Sequence, residues 1–351
     1  MNLTMTGVVF ERPGTANLTQ RPVPVPGEDE ILVRIAVTGI CGTDRAIILG
    51  EFPGLPGIIL GHEAVGQVAV LGAAVTGHAV GDRVVVNPTS YCLECVACRR
   101  GRPAHCSEKG GRELGVDCDG TMTEYLVVHE RYVHPIPDDL GFRAAALVEP
   151  LACVLNNVRC AGVRLGDRVV VLGAGPIGTL CARVLIAGGA RVVLVERDRA
   201  RARLAREIIV LAAGTEDFVV TRDLDGVDGA DVVIDTTGVL AEQALDRVED
   251  GGTVVVMGER QGARASLGLR SIATRGVSIR GAGPYAPADF AEALRLAGTL
   301  NLDALVTHVV PLHRYAAAFD LLCMDTAGST SRSYRAMKVL VCSDPELAAG
   351  S

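Results

Sequence analysis

The chain has 351 residues, a hydrophobic share of 49% and a formal charge of -7 spread without long runs of one sign. That length favours two domains, the apolar share suffices for both cores, and the dispersed acidity argues against nucleic acid as the partner. No stretch reaches the roughly 18 apolar residues of a membrane span, and residues 1–14 lack the basic start and apolar core of an export signal.

A cytoplasmic protein acting on a small molecule is therefore expected, with no membrane partner. The 41 glycines and 16 prolines imply many turns and mixed α and β structure. Only Lys109 and Lys338 are lysines, so the basic residues are nearly all arginine.

In chain order, short β-type runs come first: Ile31 to Val37, Ala64 to Leu71, Arg83 to Asn87 and Tyr125 to Val128, separated by glycine turns. From about Leu151 the rhythm becomes strand, glycine turn, helix: Arg168 to Leu172, Pro176 to Ala187, Arg191 to Val195. Further buried strands are expected at Phe218 to Val220, Asp231 to Asp235, Gly252 to Met257 and Val277 to Arg280, making six in a doubly wound parallel sheet. A helix at Ala288 to Ala297 then leads to strands at Val306 to Val310 and Lys338 to Cys342. With little linker composition at either junction, the tail is expected to return to the first domain. The assignment is residues 1–150 completed by 288–351, with 151–287 inserted. The string Gly-Asp-Arg-Val-Val-Val at Gly81 and again at Gly166 has unrelated flanks, so it reads as two similar turn-to-strand entries and no repeat.

Three groups of residues carry chemistry. Cys92, Cys95, Cys98 and Cys106 have the spacing with which one loop wraps four thiolates around a structural Zn²⁺, leaving no open position for substrate. Gly173, Gly175, Pro176, Ile177 and Gly178 lie between a buried strand and a helix, and Glu196 closes the next strand. That context makes a dinucleotide fingerprint, with pyrophosphate at the helix N-terminus and Glu196 on the adenosine ribose. A carboxylate there favours NAD over NADP, and the adjacent Arg197 softens the preference. Thr236 and Gly238, at the end of a central strand, lie where such a sheet meets its ligand. Cys41, His62 and Glu149 offer a thiolate, an imidazole and a carboxylate, a set that suits a catalytic zinc with one open position.

These motifs, in this order, resemble the zinc-containing medium-chain dehydrogenase/reductase family, near its polyol (sorbitol), threonine and glucose dehydrogenase branches. The resemblance implies an α/β protein: a GroES-like β-rich catalytic domain and a Rossmann domain. It also implies Cys41 and His62 as catalytic zinc ligands, with Glu63 or Glu149 supplying the remaining protein ligand. Thr43 is placed to start proton removal from a zinc-bound alcohol, after which hydride passes to the nicotinamide. Arg45 and Ala46 stand where many relatives carry a relay histidine, which turns the expectation from simple alcohols toward sugars, polyols and (amino)cyclitols. Phe52, Asp117 and Asp119 lie in segments that border the substrate cleft. The expected reaction is reversible oxidation of a secondary hydroxyl by a homodimer or homotetramer holding two zinc ions per chain. The alternatives are a sugar 1-dehydrogenase that forms a lactone and a non-catalytic nucleotide-binding protein of the same fold.

Overall fold

The computed structural model describes residues 3–215, 217–322 and 336–349. The chain forms two compact units: one runs to Glu149 and resumes at Val306 and Lys338, the other runs from Pro150 to Leu305. The helix Pro287–Ala297 and the turn Leu302–Leu305 thus belong to the second unit. This corrects the expected return at residue 288, and the reason is local: Phe290, Ala293 and Ala297 bury one helix face, while Arg183 of the second unit donates to the Leu300 carbonyl at 3.2 Å.

The first unit opens with a hairpin of β1 (Thr4–Arg12) and β2 (Thr15–Pro22). Its main sheet has seven strands: β3 (Glu30–Gly39), β4 (Glu63–Leu71), β5 (Arg83–Val86), β6 (Tyr125–His129), β7 (Val133–Pro135) and, from the end of the chain, two more. Ile31, Val33, Ile35, Ala64, Val68, Val84 and Val86 pack into one core, the alternate residues of antiparallel strands facing inward.

The second unit holds a six-stranded parallel sheet of β8 (Arg168–Leu172), β9 (Arg191–Val195), β10 (Val219–Thr221), β11 (Ala230–Asp235), β12 (Val248–Val256) and β13 (Ser278–Gly281). The strand order is β10-β9-β8-β11-β12-β13, so the direction of winding reverses beside β8, and sheets of this type bind their ligands outside the carboxyl ends of the strands at such a point. The strands are short runs of valine, isoleucine and leucine because both sheet faces are covered.

The last two strands return to the first unit. In its sheet, β14 (Val306–Pro311) pairs with β15 (Lys338–Cys342), and β15 pairs antiparallel with β3. Both copies of the Gly-Asp-Arg string make the same turn: Asp82 caps the Ala79 N–H and Asp167 the Arg164 N–H, each at 2.8 Å. One copy then enters an antiparallel sheet and the other a parallel one. Among the described residues no helix is long and apolar enough to cross a membrane.

Candidate metal and dinucleotide sites

From Gly39 at the end of β3 the chain passes Ile40 to Cys41, the N-cap of the helix Gly42–Leu49. Asp44, in the first turn, accepts the Cys41 N–H at 2.8 Å through Oδ2, a reciprocal cap that fixes where the helix starts. Its other oxygen accepts the Gly61 N–H at 3.0 Å. One buried carboxylate therefore ties the loop carrying Cys41 to the loop carrying His62 and Glu63. As a result the Cys41 sulfur, an imidazole nitrogen of His62 and a carboxylate oxygen of Glu63 all lie within 4.8 Å of one another. Thr43 Oγ1 stands 3.7 Å from Cys41 Sγ.

The last strand supplies a counter-charge. Lys338, buried at the start of β15, pairs its ammonium with Glu63 and donates to the Ile40 carbonyl at 3.0 Å. Gly39 permits this approach: a Cβ there would lie 2.0 Å from Glu63 Oε2 and 2.9 Å from Lys338 Cε. Burial works against a charged His62, yet the Cys41 thiolate, Asp44 and Glu149 outweigh it and push its pKa well above the ordinary value. A cluster that draws a proton this strongly favours positive charge, and a thiolate, an imidazole and a carboxylate form a donor set suited to Zn²⁺. Glu149, buried in the first turn of the helix Val148–Ala161, stays outside the 4.8 Å group and acts on it through its charge.

Cys92, Cys95, Cys98 and Cys106 also come together. Three of their sulfur–sulfur separations are 3.6, 3.9 and 4.0 Å. These are too long for disulfides and close to the edge, about 3.8 Å, of a tetrahedron with Zn–S bonds of about 2.3 Å. Backbone amides point at the sulfurs: Cys92 Sγ accepts from Glu94 and Cys95, and Cys106 Sγ from Cys92 and Glu108, at 3.2 to 3.4 Å. Amide N–H groups of Cys98 and Ser107 bring the Cys95 thiol down to about 5, so a thiolate is already favoured in the loop.

In the second unit the glycine turn follows β8. Gly173 has φ of +94°, and a Cβ on it would lie 2.8 Å from Thr236 Oγ1. A Cβ on Gly178 would lie 1.8 Å from the Gly173 carbonyl, so the helix Pro176–Ala187 packs directly on the turn. Gly175 faces open space, the room a pyrophosphate needs to reach the helix N-terminus. Glu196 is buried and well supplied with donors: Asp198 N–H at 2.9 Å, Ala174 N–H at 3.1 Å and Arg201 at 3.3 Å. Its charge is thus balanced by Arg201, while Arg197 is exposed. Thr236 bonds back to the Leu172 carbonyl at 2.7 Å, and the Gly238 amide donates to Asp235, so both are tied to the carboxyl ends of β8 and β11.

The acids expected to touch substrate have other partners. Asp117 accepts the Gly111 and Glu113 amides at 3.0 and 3.4 Å, and Asp119 accepts the Ile59 amide at 2.9 Å and pairs with Arg21 at 3.1 Å. Asp117 thus closes a local turn and Asp119 joins three distant segments, so each carboxylate has a structural role of its own. Phe52 is half-buried just beyond the helix Gly42–Leu49, with its amide on the Ala46 carbonyl. Sequence reasoning missed Asp44, Lys338, Arg201 and Asp235. Only Asp44 had a local signal, the acid three residues after an N-cap.

Residues 27–138 match the family described as alcohol dehydrogenase GroES-like domain, and residues 176–299 match zinc-binding dehydrogenase. The sorbitol dehydrogenase of Halalkalibacterium halodurans is 31% identical over 96% of this chain and 99% of its own. The D-arabitol-phosphate dehydrogenase of Enterococcus avium is 31% identical over 99% of each chain, and the L-galactonate-5-dehydrogenase of Escherichia coli 34% over 90% of this chain and 95% of its own. Among solved structures, a zinc-binding dehydrogenase from Sinorhizobium meliloti bound to NADP superposes with a TM-score of 0.85 at 30% identity, covering 97% of this chain and 100% of that one. With its GroES-like and Rossmann units, its two donor clusters and relatives that match nearly end to end, the chain belongs to the zinc-containing medium-chain dehydrogenase family.

Proposed function

We propose that the protein oxidises a secondary hydroxyl of a polyol, sugar or sugar acid to a ketone with NAD or NADP, and runs the reverse reduction. The observation that carries this reading is the convergence of Cys41, His62 and Glu63 within 4.8 Å beside Thr43. The named substrates of the relatives, sorbitol, arabitol phosphate and galactonate, support the substrate class.

In this reading Cys41, His62 and Glu63 hold the catalytic zinc, with Glu149 as the reserve carboxylate, and the four-cysteine loop holds a second zinc. Zinc bound there would supply Lewis-acid chemistry, lowering the pKa of a substrate hydroxyl. Thr43 Oγ1 is placed to accept a hydrogen bond from the substrate hydroxyl, the first link in the path of its proton. Lys338 pairs with Glu63 and keeps it turned toward Gly39, and Asp44 fixes Cys41 against His62. The turn at Gly173 to Gly178 seats the pyrophosphate, and Glu196 accepts from the ribose with the lone-pair capacity its three donors leave. None of the ten described cysteines is in a disulfide, and five of them are the thiolates this reading gives to zinc, a usage that supports the reducing cytoplasm.

The test is a zinc determination and an assay of NAD and NADP reduction on sorbitol, arabitol, galactonate, glucose and inositols. About two zinc ions per chain and a ketone product support the reading. A lactone from glucose, or turnover of ethanol with no polyhydroxylated substrate, overturns the substrate class. One zinc per chain and no turnover overturns the enzyme.

A further inference from the structure

Arg45 has no part in the site as described above. It lies in the helix Gly42–Leu49, one turn beyond Cys41, and its amide donates to the Cys41 carbonyl at 3.4 Å. Side chains of a helix lean toward its N-terminus and cover the preceding turn, so the guanidinium of Arg45 leans back along the face that carries Cys41.

Its Nε is buried and has no hydrogen-bond acceptor. Arg247 is the one other described arginine with such an Nε, and its guanidinium pairs with Asp228 at 2.7 Å. Among the described residues Arg45 has no ionic partner. A buried donor without an acceptor costs about 1–3 kcal/mol, a penalty that a ligand removes.

The surroundings say which ligand. Cys41, Asp44, Glu63 and Glu149 are acidic groups, and the cations among them, His62 and Lys338, already face these acids. A substrate bearing negative charge therefore needs a cation of its own, and a planar guanidinium matches an oxyanion. Ala46, next in the helix, has only a methyl group. The four residues from Cys41 to Arg45 span about 6 Å of helix, a separation of backbones that a polyol of several carbons bridges.

We propose that Arg45 is a specificity residue that binds a carboxylate or phosphate carried by the polyol substrate. This rests on the polyol reading above and narrows it to anionic polyols. Carboxylate and phosphate share the oxyanion chemistry, and matched substrates separate them.

The experiment compares kcat/KM of the zinc-loaded enzyme on galactitol against L-galactonate and on sorbitol against sorbitol 6-phosphate, for wild type, Arg45→Ala and Arg45→Lys. The wild type is expected to favour at least one anionic member by roughly 10- to 100-fold, as charge-assisted bonds typically provide. Arg45→Ala is expected to abolish that ratio, mainly through KM, and Arg45→Lys to restore part of it. Melting temperatures report whether the variants fold, and dinucleotide Kd values report where the arginine acts.

Wild-type ratios near one overturn the inference while leaving the polyol reading intact. So does an Arg45→Ala ratio equal to wild type, or a raised dinucleotide Kd with an unchanged ratio, which assigns the arginine to the cofactor's phosphates. No turnover of any of the four compounds overturns both.

Discussion

Replacing Lys338 by methionine keeps the length of the side chain and removes its charge. The ammonium pairs with Glu63 where both side chains are nearly inaccessible, 4% and 1% exposed, so no water can take its place. Stranding one member of a buried ion pair costs about 3–5 kcal/mol, and for a unit of this size that lowers the melting temperature by roughly 6–20 °C. The same ammonium holds the Ile40 carbonyl next to Cys41, so the metal-free cluster loosens as well. Adding Glu63→Gln to Lys338→Met removes the stranded charge and is expected to recover most of the loss. Loading zinc onto the single variant is expected to recover part of it, because the ion offers Glu63 another countercharge. The assay is thermal unfolding of the four members of the cycle, metal-free and zinc-loaded. A single variant within about 1 kcal/mol of wild type, or a double variant no more stable than the single, refutes the reasoning.

Cys41→Ser and His62→Ala are each expected to lower kcat at least about a hundredfold with the melting temperature and dinucleotide Kd nearly unchanged, whereas Cys95→Ser loses stability and one zinc per chain first. Kinetics, calorimetry and metal analysis separate the two patterns. Glu196→Ala is expected to weaken NAD more than NADP and, because the carboxylate that would repel a 2′-phosphate is gone, to shift preference toward NADP by about tenfold; an unchanged ratio of the two Kd values defeats this. Burial, and then neighbouring His78, hold His134 below its ordinary value of 6.5. Since the folded value is depressed, its contribution to stability is complete above about pH 6.5 and is lost as the pH falls toward the folded value. Melting curves between about pH 8 and 5 are expected to flatten in His134→Gln, and parallel curves would contradict the assignment.

The elements with strong periodic or apolar patterns were legible in the sequence: β8, β9 and β11 to within a residue, and the helix Pro176–Ala187 between its proline and glycine signals. The hairpin of β1 and β2 was not, because Asn17, Thr19 and Gln20 give it no apolar alternation. In the site, Cys41, His62 and the four-cysteine loop were visible because metal chemistry demands unusual residues at fixed spacings. Lys338 and Arg201 were not, since each finds its partner through tertiary packing, and an isolated lysine or one arginine in a run of five carries no local mark. At Asp117 and Asp119 residue type alone does not choose: a turn, a junction between distant segments and a binding pocket all recruit a carboxylate, and the amides these two accept are set by the fold.

The pairing of β15 with β3 has a consequence for biosynthesis. Ile40 and Lys338 are 298 positions apart, so at about 5–20 residues per second the ribosome needs on the order of 15–60 s to make the second after the first. Until Lys338 is made the growing chain carries Cys41, and then His62 and Glu63, with no ammonium beside them, and even the stretch from Pro150 to Leu305 is complete 33 residues earlier. The four-cysteine loop, complete by Cys106, can take its ion early. The cluster at Cys41 acquires its final form only when the last strand leaves the ribosome, which makes metal loading there a closing event of synthesis.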